Sequence, residues 1–165
     1  MSDTIPPPPA PPPGNGQQQQ PPLVVNLQYT KDLSFEVPGA PETYLTLKQQ
    51  PQVNINLDVQ ARRLNDTQQM YEITLAIKVE ANADNKPVFI AELAYCGLFT
   101  LNGIPEQAVE PVLLVECPRI LFPFARNILA DVTRDGGFPP VMLTPIDFLA
   151  LWQSRRGQAT VSGTA

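Results

Sequence analysis

The amino-acid sequence predicts an α+β fold, a four-stranded antiparallel Greek-key sheet with helices packed on one face. Two observations support this prediction. Between residues 27 and 101, four segments alternate apolar and polar residues with a period of two, which is typical of half-buried strands. After residue 105, apolar residues recur instead at helical spacing. Strands followed by helices favour the α+β class, and 165 residues are enough for one domain with a sizeable core.

Residues 1–22 differ in composition from the rest of the chain. Residues 6–13 are almost all proline, and residues 17–20 are all glutamine. Polyproline forms an extended helix without internal hydrogen bonds, so we expect a disordered tail; docking of this tract on an aromatic groove is the alternative. The folded domain is predicted over residues 23–156, followed by a flexible C-terminal tail over residues 157–165.

The first predicted strand has one apolar and one polar face. The apolar face is predicted to carry Leu27, Tyr29, Leu33 and Phe35. Asp32 and Glu36 lie on the polar face, while Lys31 is the one misfit among the apolar positions. Pro38 and Pro41 end the strand, because proline cannot donate to a hydrogen-bond ladder.

Strands two, three and four are predicted over residues 53–62, 71–81 and 88–101, and short turns join them. They are therefore expected to be antiparallel neighbours. Strand one reaches strand two only through a long connection over residues 37–52. Three hairpin-joined strands plus one reached by a long connection form a Greek key, which places strand one beside strand four.

Three helices are predicted after the sheet. The first is broken by Pro118, since proline lacks the N–H that continues a helix. The second ends at Gly136 and Gly137 and has Arg126 on its wet side. Its apolar face is predicted at Ile120, Phe124, Ile128 and Val132, with Leu121, Ala125 and Leu129 beside them. The last helix is predicted to start at an N-cap formed by Thr144.

Composition and charge disfavour several classes of function. The net charge is −5, whereas a nucleic-acid surface needs basic patches. The chain has no histidine, the commonest general base and metal ligand, and Cys96 and Cys117 lack metal-ligand spacing. We find no pattern of a secretory leader or of a membrane-spanning run. The sequence therefore predicts a cytoplasmic protein with two reduced thiols that is not an enzyme and needs no metal or cofactor.

Three strings of residues are more specific than the periodic patterns. They read CPRILFPFAR over residues 117–126, GFPP over residues 137–140 and YTKDLSFE over residues 29–36. These strings resemble the SecB family of protein-export chaperones, and the match runs in register from about Leu27 to Trp152. The resemblance implies an ATP-independent cytosolic holdase that binds unfolded preproteins, keeps them translocation-competent and delivers them to the SecA motor. It also implies a homotetramer, built as a dimer of dimers.

The resemblance implies a SecA-binding site at Asp32, Glu36, Ile90 and Glu92. From the residues alone, the three carboxylates share one sheet face if strand one pairs with strand four, and they form an acidic field around an apolar contact. A docking site for a basic partner is one interpretation, and a charged face that keeps the sheet soluble is the other. An enzyme with paired carboxylates is disfavoured, because a flat sheet face offers no pocket.

The resemblance also implies a groove for unfolded polypeptide, bordered by the crossover connection and the last helix. The implied residues are Tyr44, Leu45, Leu47, Phe138, Met142, Leu143, Phe148, Leu149 and Trp152. Aromatic and methionine side chains form adaptable surfaces, and ordinary core residues at helical spacing are the alternative interpretation. Relatives often carry a tryptophan late in the connection, where this chain has Lys48, Gln49 and Gln50.

The apolar surface predicted on the outer face of strand four and on the first helix is larger than a monomer normally exposes, which favours self-association. Cys96, where relatives often carry glycine, is expected near the region where subunits meet.

Two other functions stay open at this point. One is a SecB-like chaperone dedicated to a toxin–antitoxin client, which a narrow client range would reveal. The other is a small-ligand-binding oligomer, which saturable binding would reveal.

Overall fold

The computed structural model describes residues 19–161. Its elements are β1 (Leu23–Glu36), α1 (Glu42–Thr46), β2 (Gln52–Asn65), β3 (Met70–Ala83), β4 (Lys86–Leu101), α2 (Glu106–Pro111), a π-helical turn (Val112–Glu116), α3 (Cys117–Asp135) and α4 (Phe148–Val161). The prediction of a disordered tail falls, up to residue 18, outside the described residues and stays a prediction.

The four strands form one antiparallel sheet in the order β1-β4-β3-β2. This order confirms the predicted Greek key and the placement of β1 beside β4. The helices pack on one face, called the inner face below, and the opposite face is the outer face. Gly97 of β4 lies where α3 crosses the inner face: a Cβ at this position would come within 2.9 Å of the Leu121 side chain. The absence of a side chain at Gly97 therefore allows the close approach of helix and sheet.

The core lies between the inner face and α3. Its fully buried members include Ile73, Leu75, Val79, Phe99, Leu121 and Leu129. Burying an apolar side chain of this size contributes about 1.5–3 kcal/mol, so these layers dominate the stability of the domain. The rings of Phe122 and Phe148 meet edge to face at 5.9 Å and attach α4 to α3.

Two irregularities in β1 change the faces that the alternation predicts. The register of β1 against β4 shifts between Val25 and Leu27 and again between Thr30 and Asp32. An extra residue in one strand moves every following side chain to the other face. Tyr29 therefore stands opposite Cys96 on the outer face, whereas Leu33 and Phe35 stand opposite inner-face residues. The prediction of one apolar face was wrong for Leu27 and Tyr29, which both lie on the outer face.

The helix that begins at Glu106 is not broken at Pro118. The chain passes from α2 through the π-helical turn into α3, and the junction residues Val112, Glu116 and Cys117 all keep right-handed helical angles. Proline in a helix removes one backbone donor, and a π-helical turn lets the carbonyls before it find other partners. Pro118 is accordingly the second residue of α3, and the predicted break was wrong.

The faces of α3 also differ from the prediction. Leu121, Ala125 and Leu129 are buried against the sheet, whereas Phe124 is half exposed and stacks on Tyr95 at 6.3 Å. Arg126 is not on the wet side but half-buried, and its Nε is buried without a hydrogen-bond partner among the described residues. Leu121, Ala125 and Leu129, which were predicted to lie beside the apolar face of this helix, therefore form the centre of that face.

Helix α4 begins at Phe148, one turn later than predicted. Asp147 is its N-cap, since its Oδ1 accepts a hydrogen bond from the Ala150 amide at 3.0 Å. The predicted N-cap Thr144 lies in the preceding linker instead. Buried Thr133 fixes this linker by accepting a hydrogen bond from the Val141 amide at 2.9 Å. The helix continues to Val161, so the predicted domain boundary at residue 157 falls inside it.

Candidate binding sites

The four residues implied in SecA binding share the outer face of the sheet, at its β1–β4 end. Glu36 of β1 stands opposite Ile90 of β4. Glu92 stands opposite Ser34, two residues from Asp32. The three carboxylate residues are exposed and Ile90 is half-buried. These four residues, called the acidic face below, thus form one continuous patch of negative charge around an apolar contact.

One cation that the sequence analysis missed lies beside this patch. Lys78 of β3 places its Nζ 2.7 Å from Glu80 Oε1 and 3.7 Å from Glu92 Oε1. The hydrogen bond with Glu80, followed by the charge of Glu92, raises the pKa of Lys78. Regular counting back through the turn between β3 and β4 pairs Lys78 with Ala91, and the register shift between Ala81 and Asn82 brings it opposite Glu92 instead, so the sequence pattern did not reveal this contact.

A shallow groove of about 350 Å³, called the outer groove below, runs from the acidic face toward β2. It is lined by Asp32, Asn56, Leu57, Asp58, Ala76, Ile77, Lys78, Glu92, Leu93 and Ala94. Its rim carries charges, whereas Ala76 and Ala94 give it a small apolar floor. Asp58 at the far rim also accepts from Arg155 of α4 at 2.6 Å, which ties that helix to β2. The groove therefore combines charged rims with a small apolar floor.

A second group of charges on the outer face is centred on a buried carboxylate, that of Glu72, whose two cation partners are exposed. Glu72 accepts hydrogen bonds from Tyr29, from Lys31 Nζ at 3.1 Å and from Arg62 Nη2 at 3.2 Å. Its side chain is only 7% exposed. The Tyr29 hydroxyl, followed by the two cations, lowers the pKa of Glu72, and the same hydrogen bond raises the pKa of Tyr29. These four residues, the Glu72 cluster, connect β1, β2 and β3 across β4.

An apolar groove of about 470 Å³ opens between the crossover connection and the linker before α4. The connection contributes Leu47, Lys48, Gln49, Gln50 and Pro51, β2 contributes Val53 and Ile55, β4 contributes Phe89, and the linker contributes Phe138, Pro139, Pro140, Val141 and Met142. Val53 and Ile55 were missed because their alternation indicated only a strand. They are 39% and 45% exposed, since β2 is an edge of the sheet.

Four aromatic rings cluster at one end of this groove, and two of them, Phe89 and Phe138, line it. Phe138 lies 4.9 Å from Phe89 and 5.3 Å from Tyr44, and Phe89 lies 5.6 Å from Phe35. The Tyr44 hydroxyl donates to the Gly136 carbonyl oxygen at 2.6 Å, which fixes α1 to the end of α3. Rings held in this way give a preformed apolar surface rather than one that must be assembled by the ligand.

The structure divides the nine residues implied in polypeptide binding into three groups. Leu47, Phe138 and Met142 line the apolar groove, while Tyr44 stacks behind it and Leu45 is 84% exposed nearby. Leu143 and Phe148 are core residues, 2% and 1% exposed, so their side chains are not available on the surface.

The other two residues lie on α4 and do not line this groove. Leu149 is 42% exposed. Trp152 donates from Nε1 to Glu110 at 3.0 Å, and Arg156 lies 4.8 Å above its ring. With Val59 and Leu114, Trp152 borders a separate small cavity of about 20 Å³.

Both cysteines are buried, free thiols. Burial, followed by the charge of Glu116, raises the pKa of Cys117 to about 12, so this thiol stays protonated. Cys96 lies on the outer face under Tyr29, with its Sγ 3.3 Å from Thr74 Oγ1.

Among residues 19–161, no group of three or more cysteine or acidic side chains is placed to hold a metal ion. In the same range, no helix combines the length and hydropathy that a membrane span requires.

Comparison with known proteins first shows the class of fold. A SecB-like chaperone of Mycobacterium tuberculosis, solved in complex with a ChAD peptide from the HigA1 antitoxin, superposes with a TM-score of 0.63. The two chains are 15% identical, and the match covers 75% of this chain and 90% of the other. At this low identity the likeness concerns the architecture alone: a four-stranded antiparallel sheet with helices, as in SecB-like chaperones.

The sequence then identifies the family. The family model "Preprotein translocase subunit SecB" matches residues 16–159. The protein-export protein SecB of Granulibacter bethesdensis is 66% identical over 142 residues, which cover 82% of this chain and 83% of the relative. The protein of the same name from Acidiphilium cryptum is 62% identical, over 82% and 90% of the two chains. The chain belongs to the SecB family, and it is a chaperone of preprotein export.

Proposed function

We propose that this protein is an ATP-independent cytoplasmic holdase with two separate binding sites. Unfolded preproteins bind in the apolar groove and are kept competent for translocation. The SecA motor docks on the acidic face and receives them. The observation that carries this proposal is the separation of the two surfaces: the groove is built around Phe138 and Met142, whereas the acidic face lies on the outer side of the sheet.

The composition of the apolar groove supports binding of many unrelated segments. Met142 is 56% exposed and Leu45 84%, and both flank rigid aromatic rings. A methionine side chain adapts to different partners because it is flexible and polarizable. Fixed rings combined with adaptable rims suit a site that recognises exposed apolar chain rather than one sequence.

The acidic face supports a different kind of partner. Asp32, Glu36 and Glu92 are exposed, and the core does not require them. Their summed potential attracts a basic segment and raises its rate of association. A zinc-bearing C-terminal segment of SecA, as the family resemblance implies, is the partner in this proposal, and no catalytic step is part of it.

A tetramer, organised as a dimer of dimers, is also part of the proposal. Apolar side chains are exposed on the edge strand β1, at Val25, Leu27 and Leu33, and on α3 at Phe124. The outer face of β4, where the sequence predicted surplus apolar surface, instead has Val88 and Cys96 buried. Val25 and Leu33 stand opposite inner-face residues of β4, on the same side of the sheet as Phe124, whereas Leu27 stands on the outer face. Exposed apolar surface of this kind supports burial in subunit contacts of closed symmetry.

The test compares one variant in each site. Met142→Glu places a charge in the apolar groove and is expected to weaken binding of an unfolded preprotein while SecA binding is unchanged. Glu92→Lys replaces attraction by repulsion on the acidic face and is expected to weaken SecA binding while preprotein binding is unchanged. Glu106→Lys, a charge reversal at an exposed position of α2, is the matched control.

Binding is measured by titration of each labelled partner against the variants, with light scattering to record the tetramer. Parallel loss of both partners in either variant would contradict two separate sites. Undiminished SecA binding by Glu92→Lys would show that the acidic face only keeps the sheet soluble.

A further inference from the structure

Lys78 lies among the carboxylates of the outer groove. Its ammonium donates to Glu80 at 2.7 Å and lies 3.7 Å from Glu92, a member of the acidic face. In the sheet register it stands between Asn56 on β2 and Glu92 on β4. Among the described residues that line the groove, it is the one cation. In the free protein, Lys78 therefore already neutralises part of the negative charge around the outer groove.

We infer that Lys78 is a specificity-determining residue of the acidic face, because its ammonium competes with the cations of an incoming partner for Glu92. This inference rests on the proposed function and adds to it a criterion for choosing the partner. A side chain that brings only positive charge meets a like charge at the position where it would bind. Such repulsion selects against basic segments that offer nothing else.

The floor of the outer groove supplies the complementary attraction. Ala76 and Ala94 leave an apolar depression between the charged rims, and Lys78 does not affect the burial of an apolar group there. A segment that pairs a cation with a small apolar side chain can use this depression, because burial of apolar area is independent of charge. The favoured partner is a short segment of mixed basic and apolar character.

Lys78 weakens the binding of a cation at Glu92 but does not prevent it. Its side chain is 43% exposed, and the Glu92 side chain is 52% exposed. Ion pairs between such exposed groups are weak, so the ammonium can stay with Glu80 while a partner cation takes Glu92. The longer distance to Glu92 than to Glu80 is consistent with this exchange.

The experiment uses the full-length protein and two labelled probes, the zinc-loaded C-terminal segment of SecA and an oligolysine peptide. Lys78→Gln removes the charge and leaves a polar side chain that is one atom shorter. We expect about two- to fivefold tighter binding of oligolysine, the range that exposed ion pairs give, and a smaller gain for the SecA segment. Fluorescence anisotropy at physiological salt measures both affinities. The ratio of the two affinities, SecA segment over oligolysine, should therefore be lower in Lys78→Gln than in wild type.

Lys86→Gln is the matched control, because it removes the same charge from an exposed position at the start of β4, away from the groove. Over the six residues from Lys86 to Glu92, about 20 Å of strand, screening at physiological salt leaves little interaction. We expect Lys86→Gln to leave both affinities unchanged.

Three results would overturn the inference: no change with Lys78→Gln, an equal gain for both probes, or the same gain with Lys86→Gln. Failure of the proposed function gives a different pattern. In that case Glu92→Lys does not weaken binding of the SecA segment, whereas the oligolysine titrations still measure whether Lys78 repels cations at Glu92. Circular dichroism of each variant confirms that the sheet is intact.

Discussion

The outer face of the sheet carries two groups of charges that both contain glutamate, and these glutamates differ in burial and in the number of their internal partners. In the Glu72 cluster, one carboxylate is 7% exposed and receives a tyrosine hydroxyl and two cations. In the acidic face, Glu92 is 52% exposed, and its ion pair among the described residues is a long contact with Lys78. One group connects three strands, while the other remains available to a partner.

The difference shows that charge alone does not indicate a binding site. A buried carboxylate that is fully hydrogen-bonded has no capacity left for a ligand, and removing it leaves its partners unsatisfied. An exposed carboxylate with weak internal contacts contributes little to stability and can pair with a cation from outside. Exposure and the number of internal partners therefore favour a role in stability for the Glu72 cluster and leave the carboxylates of the acidic face accessible from solvent.

The largest expected effect is on the buried group. Glu72→Lys would place a third cation beside Lys31 and Arg62, and we expect it to lower the free energy of unfolding by about 1–3 kcal/mol, since the two cation partners are 49% and 66% exposed and water screens them. Urea denaturation followed by circular dichroism measures this loss. Glu92→Lys is the control and should change stability by no more than about 0.5 kcal/mol, because it lies on an exposed part of the same face. Equal losses in the two variants would contradict the distinction.

A smaller effect is expected from acidification. The pKa of Glu72 is lowered in the folded state, so its contribution to stability is present above its ordinary value of 4.5 and is lost as the pH falls through the lowered pKa. Wild type should therefore be more stable than Glu72→Gln at neutral pH, and the difference should shrink in acid. Denaturation of both proteins from pH 7 downward measures it. The other carboxylates are common to the two proteins and cancel. A difference that stays constant below pH 4.5 would contradict the assigned role of the charge.

Much of the fold could be predicted from the sequence. Period-two alternation and the lengths of the turns sufficed for the strand order, because one long connection leaves few ways to arrange four strands. The shared face of Asp32, Glu36 and Glu92 followed from this order together with the alternation, whereas their role in a site was implied only by the family resemblance. The bulges in β1 could not be predicted, since alternation reports the faces only while the register is regular. They moved Tyr29 to the outer face, where it completes the Glu72 cluster.

Other features depended on tertiary contacts that a local pattern does not contain. Pro118 predicts a break when it is considered alone, but the π-helical turn before it lets the helix continue. Phe148 and Leu143 have the residue types of a binding groove, and packing against Phe122 and the rest of the core buries them. The contacts of Lys78 require the register of three strands, so its role became visible only when the sheet was assembled.

The smallest expected effect concerns the exposed ion pair between Lys78 and Glu80. At 2.7 Å it is the shorter of the two contacts of Lys78, yet both side chains are more than a third exposed, at 43% and 35%. Water screens such a pair, and holding two long side chains in place costs conformational entropy that offsets the attraction. We therefore expect Glu80→Gln to have a denaturation midpoint indistinguishable from that of wild type. The same substitution releases Lys78 toward Glu92, so oligolysine should bind the variant more weakly than wild type. A clear loss of stability in Glu80→Gln would mean that this end of the outer face also holds the sheet together, and the two groups of charges would no longer differ in kind.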